Sequence, residues 1–386
     1  MNTKNKRGCN LCKVFVLPLV SVLISYLLVL CLSETSASII VGADSFDARH
    51  LYYNLNADQC RGPLCDEVII YDPFNRTIVS DMRLRLAEEL LYISKFKPKA
   101  IVFDHLLPYV SNRESDSILV AAVRQCLAQD IVFITPQVRV QNGVVLKNFF
   151  DSPQYSLNLI PGDFYVPIDR IGEYSKELLL QQNDVLWVPE LVYSLDKGHA
   201  HPDDFYRNKY INFDAPPRIQ YYYRDFFSEN IGTIEPVKQI SGRIVLFSAY
   251  SAGDDLHDLK FAIRGVGETE QEVIKTKVSG AELLWYSVRD ALKDNWDTQL
   301  HICWVLVISW ILTCLYCCCI RCLYRRRWSA LCKSILVFIV FVAMTIIVLP
   351  IVGGILMCYH LVLPMAIPAI SLVLLNVFYV DSNEKV

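Results

Sequence analysis

The chain has 386 residues, 53% of them hydrophobic, with a mean hydropathy of +0.30. That is too apolar for an ordinary soluble protein and too polar for a bundle of membrane helices alone, so apolar runs joined to a globular segment are expected. A formal net charge of −3 excludes a globally basic nucleic-acid binder and leaves the local clusters of cations as the informative charge.

Residues 1–13 carry Lys4, Lys6, Arg7 and Lys13. The uncharged run at 14–32 follows, VFVLPLVSVLISYLLVLCL, long enough to cross about 30 Å of hydrocarbon. No cation comes after it before Arg49, so the positive-inside rule puts residues 1–13 in the cytoplasm. A cleaved signal peptide is the alternative, since SETSAS offers small residues. The run exceeds the roughly 7–15 residues of a signal h-region, which favours a retained anchor.

Residues 33–300 form a segment of globular length in which strand and helix signals alternate. EVIIYD (67–72) reads as a strand ending in an acid. Residues 81–95 read as an amphipathic helix, with Leu84, Leu86, Leu90, Leu91 and Ile93 set among charges. AIVFD (100–104) is a second strand, 115–129 a second helix with Asp116 as cap or first-turn acid, and IVFIT (131–135) a third strand. RIVLFSA (243–249) is a fourth strand and 279–293 a last helix. Pro136 to Ser241 is less regular and is expected to add outer strands and long loops. Apolar strands without polar alternation imply burial on both faces, hence an α/β domain, a mainly parallel sheet with flanking helices. Asp72 and Asp104 end two of these strands, at the edge where such sheets bind ligands. Capping a turn is the other role open to them.

The run at 302–320 leads into RCLYRRRWSALCK. Its Arg321, Arg325, Arg326, Arg327 and Lys333 mark 321–333 as a cytoplasmic loop. Runs at 334–359, interrupted by Pro350 and Gly353-Gly354, and at 361–380 then form a tight hairpin. Pro364 and Pro368 in the last run suit a span whose neighbours satisfy its backbone. Residues 381–386 form a short tail. One span before the domain and three after it put both termini in the cytoplasm and the domain outside the inner (plasma) membrane.

Taken in order, these segments resemble the type-2 CHASE domain, the extracellular sensory domain associated with cyclases and histidine kinases. The resemblance is carried by SFDARHLYY after the first span, EVIIYD, LAEELLYISKFKPKAIVFDHLLPY, ESDSILVAAVRQC, YINFDAPP, GRIVLFSAYSAGDDLHD and VSGAELLWYSVRDAL. Three closely spaced spans then follow. Departures are Phe247-Ser248 where a Gly is usual, no Thr-Pro after Asp258, and Leu284-Trp285 where a small polar or His-Ala pair is usual. The resemblance implies a bacterial membrane sensor, not an enzyme. It would bind a small ligand or a periplasmic partner and signal through its spans to a separate cytoplasmic effector, a kinase or cyclase. A homodimer is compatible with this, and the chain is expected to be a stand-alone form. The alternative is a non-catalytic envelope scaffold with a degenerate sensory domain. Candidate ligand contacts are Asp72, Asp104, Asp254, Asp255 and Asp258, with Arg83 as counter-charge.

Phosphate-binding glycine loops, a G-x-S-x-G elbow and a nucleophile–base pair are absent, and no cofactor is expected. HAHPDD (199–204) offers imidazoles and carboxylates, but it lacks an identifiable distant ligand and reads as an exposed loop, so no metal is expected. Cys60 and Cys65 flank a short loop and are a candidate disulfide in an oxidising compartment. Cysteines 314, 317, 318, 319 and 322 point around a helix at about 100° steps, which suits packing better than one shared metal site. The sequon at Asn75 has meaning only in a glycosylating pathway.

Overall fold

In a computed structural model the described residues are 3–33, 48–56, 65, 67–74, 81–139, 144–164, 181–182, 185–201, 209–213, 221–222, 240–249, 256–266, 272–326 and 328–383. In chain order the first elements are α1 (Thr3–Ser33), α2 (Ala48–Asn56), β1 (Val68–Tyr71), α3 (Met82–Ser94), β2 (Ala100–Phe103) and α4 (Arg113–Leu127). Next come β3 (Val132–Arg139), β4 (Val145–Lys147), β5 (Ile160–Gly162), β6 (Gln181–Gln182), β7 (Val185–Leu186), α5 (Val188–Lys197), β8 (Lys209–Tyr210), β9 (Tyr221–Tyr222) and β10 (Ile244–Phe247). The remainder are β11 (Leu256–Val266), β12 (Glu272–Ser279), α6 (Gly280–Lys293), β13 (Asp297–Gln299), α7 (Ile302–Tyr324), α8 (Ala330–Ala343), α9 (Leu349–Met357), β14 (Leu361–Val362) and α10 (Ala366–Asn383). They cluster into two units, one of Ala57–Asp169 with Tyr174–Trp296 and one of Met1–Asn56 with Asp297–Val386. The sequence boundaries of 33 and 300 thus shift inward, because α2 and β13 cluster with the apolar helices.

The first unit is built on a sheet in the order β4-β3-β2-β10-β1-β9, with β5 also on β3. β9, β1, β10, β2, β3 and β5 run parallel, and β4 is antiparallel at the edge. Every residue of β1, β2 and β10 is buried, as their unbroken apolar runs require. The stretch 136–241 does supply edge strands, β4 and β5 on one side and β9 on the other. Alternate residues Ile69, Tyr71, Ile101, Phe103, Phe133, Val245 and Phe247 pack with Leu86, Leu90 and Ile93 of α3 and Leu119, Val123 and Cys126 of α4. α6 packs on β1, where the Trp285 indole donates to the Val68 carbonyl at 3.3 Å. All of Ala281–Leu292 is buried, so α6 is enclosed on every side. Its buried ion pair is hydrogen-bonded to the 209–213 segment: Arg289 donates to Asp290 at 2.6 Å and to the Asn212 carbonyl at 2.5 Å, and Asp290 accepts from the Asn212 amide at 2.8 Å.

Helix starts follow cap chemistry. Asp81 accepts from the Arg83 and Leu84 amides before α3, and Asn112 from the Glu114 amide before α4. Ser279 and Glu282 make a reciprocal capping box at α6. β11 and β12 form an antiparallel hairpin, absent from the sequence reading, with a bulge between Asp258 and Ile263.

In the second unit three helices are long and apolar enough to cross a membrane: 14–31 within α1, α7, and the continuous helical stretch Ala330–Met357. The break expected near Pro350 is a π-helical turn, Met344–Val348, directly before α9. Such a turn absorbs the proline ring without ending the helix. The fourth expected span corresponds to α10, whose stretch Ala366–Val377 is apolar but shorter. α1, α7 and α10 pack on one another, and α8 packs on α7. The Tyr316 hydroxyl donates to Asn376 at 2.6 Å between α7 and α10, and the Trp310 indole donates to the Phe15 carbonyl at 3.2 Å.

Candidate functional site at the carboxyl edge of the sheet

β1, β10 and β2 end in register, with Tyr71 beside Phe247 and Phe247 beside Phe103. Their rings stack across the three strands at 5.8 and 5.7 Å. The ladder runs one residue further. The Ser248 amide donates to the Tyr71 carbonyl at 3.1 Å, and the Asp104 amide donates to the Phe247 carbonyl at 3.0 Å. Asp72, Ser248 and Asp104 therefore form a row along the carboxyl edge. The Ser248 hydroxyl donates to Asp104 at 2.8 Å.

Asp72 also serves as a turn cap, accepting from the Phe74 amide at 2.9 Å. The turn that follows is braced by Arg85, which donates to the Pro73 carbonyl at 2.8 Å and lies 3.3 Å from Glu89. Glu89 in turn accepts the Tyr71 hydroxyl. Burial raises the Tyr71 phenol well above its ordinary value. Tyr71 is therefore a neutral donor anchored beneath the edge.

Behind Asp104 the polar groups go deeper. The His105 ring meets Phe74, Phe103 and Phe247 edge-on. Burial holds its imidazole down to about 3, so it is neutral at physiological pH. Its Nε2 has no hydrogen-bond partner among the described residues. Asn148 is 1% exposed. Its carbonyl oxygen accepts the Leu107 amide at 2.5 Å, while its Nδ2 is unpartnered. Asp151 accepts from Thr135 at 3.2 Å and leaves Oδ1 unpartnered. Burial pushes its carboxyl up to about 6. The 104–107 turn, the end of β3 and the turn at 148–151 thus bring together donors and acceptors that the described residues do not satisfy.

No protein-family model, curated protein or solved structure matches the chain. The site is therefore interpreted from its own geometry.

Of the residues named from sequence, the structure brings Asp72 and Asp104 together. Two others fall elsewhere. Arg83, expected to face these acids, instead bonds Asp116 and the Tyr109 carbonyl and lies over the Phe149 ring at 4.7 Å. The reason is local: α3 packs on α4, so the guanidinium meets the first-turn acid of α4. Asp258 is exposed on the β11–β12 hairpin, 3.3 Å from Lys277, in a separate two-stranded sheet. Asp254 and Asp255 lie outside the described residues. So does Cys60, while Cys65 is a buried free thiol that burial pushes up to about 12. In the HAHPDD segment, His201 is bound by Glu190 at 2.8 Å and stacked on Tyr193, and residues 202–204 are outside the described set. Among the described residues no group of three metal-ligating side chains occurs. At the departure Leu284-Trp285, the Trp285 indole bonds Val68 at the amino end of β1, the end opposite this edge. Asn148 and Asp151 were not singled out, and Ser248 entered only as a departure from the family pattern. Ser248 falls inside the fourth expected strand, 243–249, and stands at the sheet edge because the strand ends at Phe247.

Proposed function

We propose that the chain is a membrane-anchored sensor, of the kind its resemblance to type-2 CHASE proteins implies, whose α/β domain binds a small ligand at the carboxyl edge of the sheet. The observation that carries this reading is the in-register row Asp72–Ser248–Asp104, backed by unpartnered buried polar atoms at His105, Asn148 and Asp151. Parallel sheets bind ligands at this edge, where strand order doubles back, and here β10 enters between β1 and β2. Three carboxyl groups, a hydroxyl, a neutral imidazole and an amide favour a polar ligand that both donates and accepts hydrogen bonds. The basic residues flanking the apolar helices support an extracytoplasmic domain in an inner (plasma) membrane, signalling to a cytoplasmic kinase or cyclase. Ligand binding then shifts the packing of the spans only by its differential affinity for two states.

The test is thermal unfolding of the full-length protein in micelles against a library of small polar metabolites. A ligand at 100-fold its Kd stabilises the domain by about 2.7 kcal/mol. That shift should vanish in Asp104→Asn and shrink in Ser248→Ala. One observation favours a scaffold instead: Tyr109 and Val110, just beyond Asp104, are 74% and 62% exposed, as on a protein-binding surface. A constant cross-linked partner indifferent to substitution of Asp72 and Asp104, with no metabolite shift, would replace the sensor reading.

A further inference from the structure

Asp297 is fully buried and stands immediately after the α/β unit, three residues beyond the αL cap of α6 at Asp294. Its two carboxylate oxygens serve two different elements. Oδ2 accepts the Tyr53 hydroxyl of α2 at 2.6 Å, and Oδ1 lies 3.3 Å from His360 Nδ1. Tyr53 belongs to the segment that follows the first apolar helix, and His360 to the turn between the last two. That turn is itself tied to the residues around Asp297. The Thr298 amide donates to the His360 carbonyl at 2.8 Å and the Leu300 amide to the Val362 carbonyl at 2.9 Å, in a short parallel pairing of β13 with β14. His360 holds a left-handed backbone, φ +56°, which a non-glycine residue keeps only when its surroundings fix it. α2 also packs directly against α9.

We propose that Asp297 is the positioning residue that locks α2 and the 359–363 turn to the start of the second span, so that any displacement arriving through residue 297 moves all three together. As the route by which ligand binding would reach the spans, this rests on the sensor reading above. The lock itself does not depend on it. A carboxylate shared between two donors suits such a joint, because loss of one donor alters the acceptor available to the other.

Hydrogen-exchange mass spectrometry of the full-length protein in nanodiscs tests it. In Asp297→Ala, peptides covering 48–56, 298–300 and 359–363 should exchange about tenfold faster while those covering β1, β2 and β10 keep their wild-type rates. Tyr53→Phe, which changes one hydroxyl, should speed α2 and, through the shared carboxylate, also the 298–300 amides by about threefold. Absence of that second effect in an Asp297→Ala background completes the case. Wild-type exchange of 298–300 in Tyr53→Phe, or an equal effect with and without Asp297, overturns the proposal. If Asp297→Ala does not fold, Tyr53→Phe against Asp297→Asn supplies the same comparison. Absence of any ligand shift at Asp104 would defeat the sensor reading and leave these exchange patterns intact.

Discussion

Phe103 packs its ring against both His105 and Phe150, the neighbour of Asp151, so an imidazole and a carboxyl share one apolar layer. Their protonation works in opposite senses. His105 titrates near 6.5 when unfolded and about 3 when folded. Its contribution to stability is present above about pH 6.5 and is lost as pH falls toward 3. Asp151 moves the other way, from 3.8 to about 6. Its contribution is present below about pH 4 and is lost as pH rises through 6. Between pH 4 and 6 the folded state holds one extra proton at Asp151 and lacks one at His105, so the two slopes oppose. Asp151→Asn should then make stability rise with pH across that window relative to wild type, and His105→Phe should make it fall. Each change is about 1 kcal/mol per pH unit after allowance for solvent screening. Thermal midpoints of the solubilised chain at four pH values measure both. Parallel curves for the two variants would show that neither group is buried as described.

At the scale of elements, α6 encloses one polar pair. Arg289 and Asp290 are fully buried, and both hold the 209–213 segment through Asn212. Asp290→Ala removes both the carboxylate paired with Arg289 and the acceptor of the Asn212 amide and should destabilise the domain by about 3–5 kcal/mol. A double variant, Asp290→Leu with Arg289→Met, should recover much of that, and denaturant midpoints decide it. No pattern in the sequence shows this pair, because its third member lies 77 residues away. The helices and central strands were legible for the opposite reason. Their signals are local: apolar runs at β1, β2 and β10, and the spacing of Leu84, Leu86, Leu90, Leu91 and Ile93 along α3. The β11–β12 hairpin was not legible. Its period of two is broken where four residues, Leu259 to Ala262, bulge opposite Thr276. Arg83 was misplaced because a charge on α3 can serve either the sheet edge or α4, and only packing decides which.

For the whole molecule, the side on which the C-terminus emerges depends on α10. It has 18 residues, about 27 Å at 1.5 Å each, and the apolar Leu361–Met365 stretch precedes it. It should therefore cross, leaving the C-terminus on the same side as the basic stretch 321–333, whose ends lie in α7 and α8. A C-terminal green fluorescent protein fusion should glow, and a C-terminal alkaline phosphatase fusion should be inactive. The reverse result would reduce the count of spans to three. The position of β10 governs something else, the order in which the sheet can be completed. β1 and β2 are made early but do not pair with each other; the strand that joins them is synthesised about 140 residues after β2. Until then each presents an apolar, unpaired edge on the nascent chain. A polypeptide halted before residue 244 should be captured by chaperones or aggregate. The domain thereby carries its own check that nearly all of it has been made before the sheet can close.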